Sequence, residues 1–215
     1  MILSNICKHI ALFCTVDRTI YYSLKYRDQT IYYLIHIFFN IYTIFHSINA
    51  MYCSLFCPSI LQNLSSAYIS ESIIAFHLYH TICYYKFLKN DDVYHHLMTI
   101  ISSMCSIHWD AHGYGLVIIF WTIGLPGLFY YTPLFFLKNN LIEKKTELLI
   151  QYYVGLWIRS PGILYSSYYT LFSYIENKFN NIPITIILIN ITLLHWNAQY
   201  FLMQTMKAVI SRNYV

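Results

Sequence analysis

Charge is what this 215-residue chain has least of: Asp, Glu, Lys and Arg together make up 10% of it. A soluble domain carries about 25%, so the chain lacks the polar surface that would keep it dissolved. The same shortage excludes a disordered tail, a coiled coil and a nucleic-acid module. Glycine and proline are also few, at 6 and 5, and neither a low-complexity linker nor an internal repeat divides the chain. Six cysteines are present, but none forms a CxxC pair and most sit in apolar runs, where Cys behaves as a small hydrophobe. A secreted disulfide framework is therefore not expected. A signal peptide is not expected either, because the apolar stretch 10–16 is short and meets Asp17 and Arg18 instead of a small-residue cleavage site. Phosphate loops, nucleophile elbows and zinc motifs are missing too. What the chain does have is 58% hydrophobic residues, 19% aromatics and 23 tyrosines, a composition that predicts a membrane protein.

A spanning helix needs about 20 mostly apolar residues, and six stretches qualify: 31–57, 72–88, 93–109, 114–137, 148–175 and 182–206. The expected fold is all-α, a polytopic transmembrane bundle of about six spans. Residues 1–30 are then a cytosolic N-terminal segment, 31–210 the transmembrane domain and 211–215 a cytosolic tail. Loop signals separate the spans, among them Cys57-Pro58-Ser59, Lys89-Asn90-Asp91-Asp92, His112-Gly113 and Asn180-Asn181. With six spans, Lys8, Arg18, Lys25, Arg27, Lys86, Lys89, Lys138, Lys144, Lys145, Lys207 and Arg212 share one side, against Lys178 alone on the other. Basic residues favour the cytosol, so both termini are expected there.

Ionisable groups at membrane depth are costly and mark function by default. Counted at about 1.5 Å per residue from the cytosolic end of each span, His46, His77, His80, Arg159 and His195 fall in one layer. His95, His96 and Thr99 lie closer to the cytosolic mouth. Each has a plainer reading as well: a lone His46 or His195 bonding a neighbouring helix, Arg159 meeting a carbonyl or a lipid phosphate, Asp91 and Asp92 capping a helix. The spacings His77-x-x-His80, His95-His96 and His108-x-x-x-His112 also suggest a metal-dependent membrane oxygenase. That reading is disfavoured because His108 lies about 18 Å or more from His95 along one helix, and no metal site is assigned.

The string Asp91-Asp92-x-x-His95-His96-Leu97-Met98-Thr99 resembles the histidine motif of TLC-domain proteins, the multispan family that includes the ceramide synthases. Phe45-His46-Ser47, Arg159 with Pro161, and Trp196-x-x-x-Tyr200 followed by Met206-Lys207 are similar to further family features, in order, over about residues 31–210. The chain departs from the family where many members carry an aspartate in the second span, and its Gly124-Leu125-Pro126-Gly127 replaces a glutamate-containing motif. The acidic stretch that follows the histidine pair in ceramide synthases is missing, with Asp110 its only remnant.

The resemblance implies a lipid N-acyltransferase of the endoplasmic reticulum. His95 and His96 would be its catalytic pair, and His46, His80, Thr99, Arg159 and His195 would line the substrate site. Acyl-CoA is the co-substrate, no other cofactor is expected, and the partners are membrane lipids. The alternative is a non-catalytic TLC-type protein that binds, senses or moves lipids. The absence of a second carboxylate near the histidines favours that alternative.

Overall fold

The computed structural model describes residues 2–24, 28–176, 178 and 182–214. Lys25, Arg27 and the expected loop at Asn180-Asn181 lie outside the described residues. Among the described residues there is no strand, and the chain runs through seven helical rods. The first four are α1 (Ile2–Leu24), α2 (Asp28–Phe56), α3 (Ala67–Cys83) and α4 (Asn90–His108). The fifth joins α5 (His112–Ile119) to α6 (Leu125–Lys138) through a π-helical turn, Phe120–Gly124. The sixth joins α7 (Lys144–Val154) to α8 (Ser160–Ile175) through a second such turn, Gly155–Arg159. The seventh is α9 (Ile184–Ile210). Three stretches, Thr30–Phe56, His112–Lys138 and Ile184–Ile210, are long and apolar enough to cross a membrane.

The six apolar stretches expected from the sequence coincide with the second to seventh rods within a few residues. The rods alternate in direction. Along α2 and α3, Tyr32 meets Tyr84, His36 meets His80, Phe39 stacks on Phe76 at 3.8 Å, and His46 meets Tyr68. Along α3 and α4, Thr81 meets His96 at one end and Ser66 meets Ser106 at the other. The core sits where α2, α3 and α5 converge, around Ile31, Ile35, Phe39, Ile73, Phe76, Tyr79 and Val117. α4 packs closely on α3 but only sparsely on α9.

The N-terminal segment differs from the sequence expectation. Residues 2–24 do not stand apart from the bundle but form α1, which lies parallel to α3 along its whole length. Asn5 donates to Glu71 at 3.0 Å, His9 meets Ser72 at 3.2 Å, Phe13 sits 5.2 Å from Phe76, and Tyr84 donates to Asp17 at 2.8 Å. The pairing explains why the sequence hid this rod. His9 and Asp17 interrupt the apolar pattern, yet both are buried against polar groups of α3. Because α1 runs with α3 and against α2, residue 2 and residue 214 lie at opposite ends of the bundle.

The two π turns have a common cause. Pro126 and Pro161 lack the N–H that a regular helix would give to the carbonyls of Thr122 and Trp157, and the helix widens by a residue just before each. A glycine follows each proline and lets another element approach closely. A Cβ on Gly127 would stand 2.7 Å from the Asn40 side chain, and one on Gly162 would stand 2.2 Å from the Trp121 ring.

Lys8 lies towards the end of the bundle that also carries Lys178. Arg18, Lys86, Lys89, Lys138, Lys144, Lys145, Lys207 and Arg212 lie at the other end, eight against two among the described residues. Lys178 is paired with Glu176, whose hydrogen bond raises the Lys178 pKa and offsets its charge.

Candidate functional site

Five histidines from three helices form one cluster near the basic end. His36 comes from α2, His77 and His80 from α3, and His95 and His96 from α4. The rings of His36 and His80 stack at 4.1 Å, and Tyr131 stacks on His36 at 3.8 Å. His77 meets His96 edge-on at 4.9 Å and His95 at 5.8 Å. α3 can supply two rings because positions 77 and 80 share a helix face, one turn apart.

Local hydrogen bonds orient most of these rings. His36 Nδ1–H donates to the Tyr32 carbonyl and His77 Nδ1–H to the Ile73 carbonyl, each at 2.8 Å. The Thr81 hydroxyl donates to the His77 carbonyl at 2.8 Å, so its oxygen accepts from His96 Nδ1–H at 3.1 Å. His96 is thereby held in one tautomer with its Nε2 lone pair unspent. His80 is fully buried, and neither of its ring nitrogens has a hydrogen-bond partner among the described residues.

His95 is placed differently. The Asn197 side-chain N–H of α9 donates to its Nδ1 at 3.4 Å, which leaves the proton of neutral His95 on Nε2. Turning the Asn197 amide over would bring its oxygen to Nδ1 and free the Nε2 lone pair, so this partner suits a ring that gives and takes a proton. His95 also lines a cavity between α4, α5 and α9, whose wall includes Thr99, Thr122 and Asn197. Thr99 donates to the His95 carbonyl at 2.9 Å, so it stiffens the turn that carries His95 and turns its methyl face to the cavity.

Arg159 closes the far side of the site. It is 8% exposed and ends the second π turn. Its guanidinium lies over the Tyr130 and Phe201 rings at 5.7 Å each, and Phe201 stands edge-on to His95 at 6.0 Å. Among the described residues it has no ion-pair partner, and its Nε has no acceptor. An unpaired buried cation is costly, and the Phe201 ring lies in contact with both this one and His95.

Of the residues singled out from the sequence, His80, His95 and His96 come together, with Thr99 on the cavity wall and Arg159 behind Phe201. His46 does not join them. It is exposed and packs at 4.4 Å from Tyr42 near the opposite end of α3, while His36, ten residues earlier on α2, takes the place beside His80. His195 bonds Ser167 of α8 at 3.1 Å and has no ring contact with the cluster. Asp92 accepts from the Lys89 N–H at 2.9 Å and caps α4, whereas Asp91 accepts from Tyr200 at 2.7 Å. No carboxylate therefore orients the histidine pair among the described residues. Sequence reasoning missed His36, Thr81 and Asn197, because ordinary Thr and Asn residues and a histidine early in a span carry no motif. His108 and His112 lie at the other end of α4, and no three His, Cys, Asp or Glu among the described residues are grouped to hold a metal ion. Compared with protein families, curated proteins and solved structures, the chain matches none.

Proposed function

We propose that this protein is a membrane-embedded helical bundle of lipid metabolism that transfers an acyl group from acyl-CoA to the amine of a sphingoid-type lipid. The single observation that carries the reading is His95, set at the head of a cavity beside Asn197 and close to the unpaired Arg159. In this reaction the acceptor nitrogen attacks the thioester carbonyl and the C–N bond forms. His95 takes the proton released by that nitrogen. The C–S bond then breaks, and His95 returns the proton to the departing thiolate. This is general base followed by general acid, the sequence that a tautomer-tolerant partner such as Asn197 supports. His96, fixed by Thr81, buttresses the ring from behind. Arg159 supplies positive charge to the anionic oxygen that develops at the carbonyl. Exposed Lys86, Lys89 and Lys145 at the same end favour the approach of the CoA phosphates.

The orientation follows from the charges: the basic end faces the cytosol, where acyl-CoA is available, and residue 2 lies on the opposite side. The likeness of the 91–99 segment to TLC-domain proteins points the same way. The short α3, 17 residues or about 26 Å, suits the thinner bilayer of the endoplasmic reticulum.

One observation favours a second reading, lipid binding without turnover: Asp91 and Asp92 are both engaged elsewhere, so the histidines lack the carboxylate that would raise their basicity. Purified protein given labelled acyl-CoA and a panel of sphingoid and glycerolipid amines or alcohols separates the two. Acyl transfer predicts product that falls about 100-fold or more in a folded His95→Ala variant. Wild-type protein that makes no product yet retains lipid as well as the variant does would establish the second reading.

A further inference from the structure

Two cavities lie end to end along α4. The upper one begins at His95; the lower ends at Trp109 and Tyr114. They share a wall that contains Ser102 and Asn190, and the Ser102 hydroxyl donates to the Asn190 side-chain oxygen Oδ1 at 2.8 Å from α4 across to α9. This is a polar bar at mid-depth in a seam where the two helices otherwise touch little.

The lining of both chambers fits a hydrocarbon chain. No Asp, Glu, Lys or Arg faces either one. The hydroxyls of Thr99, Thr122 and Thr170 are already donated to helix carbonyls at 2.9, 2.8 and 2.7 Å. These threonines therefore present methyl groups, alongside Ile118, Ile119 and Leu194.

We propose that the Ser102–Asn190 bond measures the acyl chain. The proposal rests on the acyl-transfer reading above for the position of the thioester at His95. From His95 to Ser102 is seven residues of helix, about 10 Å. An extended chain advances about 1.2 Å per bond, so roughly eight carbons fit above the bar. Trp109 lies seven residues further, so a chain of roughly sixteen carbons reaches the floor only after the bar has opened. Opening it leaves a half-buried donor and acceptor unpaired in a mostly apolar seam, a penalty that a shorter chain does not incur. The closed bar selects medium-length acyl groups.

The test uses acyl-CoAs of about eight and about sixteen carbons with a diazirine at the chain end. They are crosslinked to the full-length protein in nanodiscs, and the labelled residues are mapped by mass spectrometry. The shorter probe is expected to label the wild-type protein around Ile118 and Ile119, and the longer one to label it about tenfold less. Asn190→Ala should bring the long probe up to the level of the short one, with labels near Trp109 and Ile187. Ser102→Ala removes the same bond from the other helix and must act likewise, which covers a failure of either variant to fold. Equal labelling by both probes in wild type, or a preference unchanged in a folded variant, overturns the proposal, as does labelling confined to surfaces outside the cleft. Crosslinking needs no turnover, so a protein that forms no product but labels in this pattern refutes acyl transfer while leaving the measuring bar in place.

Discussion

Arg159 holds its guanidinium between the Tyr130 and Phe201 rings and has no anion beside it among the described residues. Removing a charge of that kind is not like breaking an ion pair. Arg159→Met is expected to leave stability unchanged or raise it by about 1–4 kcal/mol, while product formation falls because the developing oxyanion loses its counter-charge. Thermal unfolding in detergent and the acyl-transfer assay, run on the same preparation, check both halves. A loss of about 3–5 kcal/mol would instead reveal a partner for the guanidinium. Thr81 acts through another residue. Thr81→Val keeps the shape but removes the oxygen that accepts from His96 Nδ1–H. It should lower the rate about tenfold and cost about 1–3 kcal/mol for the unpaired donor, with Thr81→Ser restoring both. At this scale the sequence located the histidine pair and Arg159, since ionisable residues stand out in apolar runs. It misjudged His46 against His36, because depth along one helix says nothing of which residue faces a partner, and Thr81 and Asn197 gain meaning only once three helices are brought together.

Two rods carry proline-linked π turns, and each turn is followed by a glycine where a neighbour presses in. Gly162→Ala would place a methyl 2.2 Å from the Trp121 ring. The rigid indole cannot yield as a flexible chain end would, so the variant should lose about 1–3 kcal/mol. A fall in unfolding temperature relative to wild type checks this, and an unchanged temperature would mean that the sixth rod can shift away from the fifth. The prolines behind these turns stand plainly in the sequence, because a missing N–H is a local property. The six apolar rods were legible for a similar reason: charges and turn residues bracket them. α1 was not legible, since Lys8, His9, Asp17 and Arg18 break its apolar pattern and the groups that absorb His9 and Asp17, Ser72 and Tyr84, come from a helix more than sixty residues away.

For the molecule as a whole, the seven rods place residue 2 and residue 214 at opposite ends of the bundle, and the proposed orientation puts those ends on opposite sides of the membrane. A glycosylation acceptor fused before residue 1 should be modified in cells, while the same tag after residue 215 should not. Modification of neither tag, with both fusions inserted, would restore the arrangement with both ends cytosolic. The parallel docking of α1 on α3 also has a consequence for synthesis. Asp17 finds the hydroxyl of Tyr84 only after 67 further residues have been joined. At about 5–20 residues per second, a newborn chain carries that carboxylate unpartnered for about 3–13 s. During that interval the first helix depends on whatever water, lipid headgroup or assembly factor lies beside the ribosome.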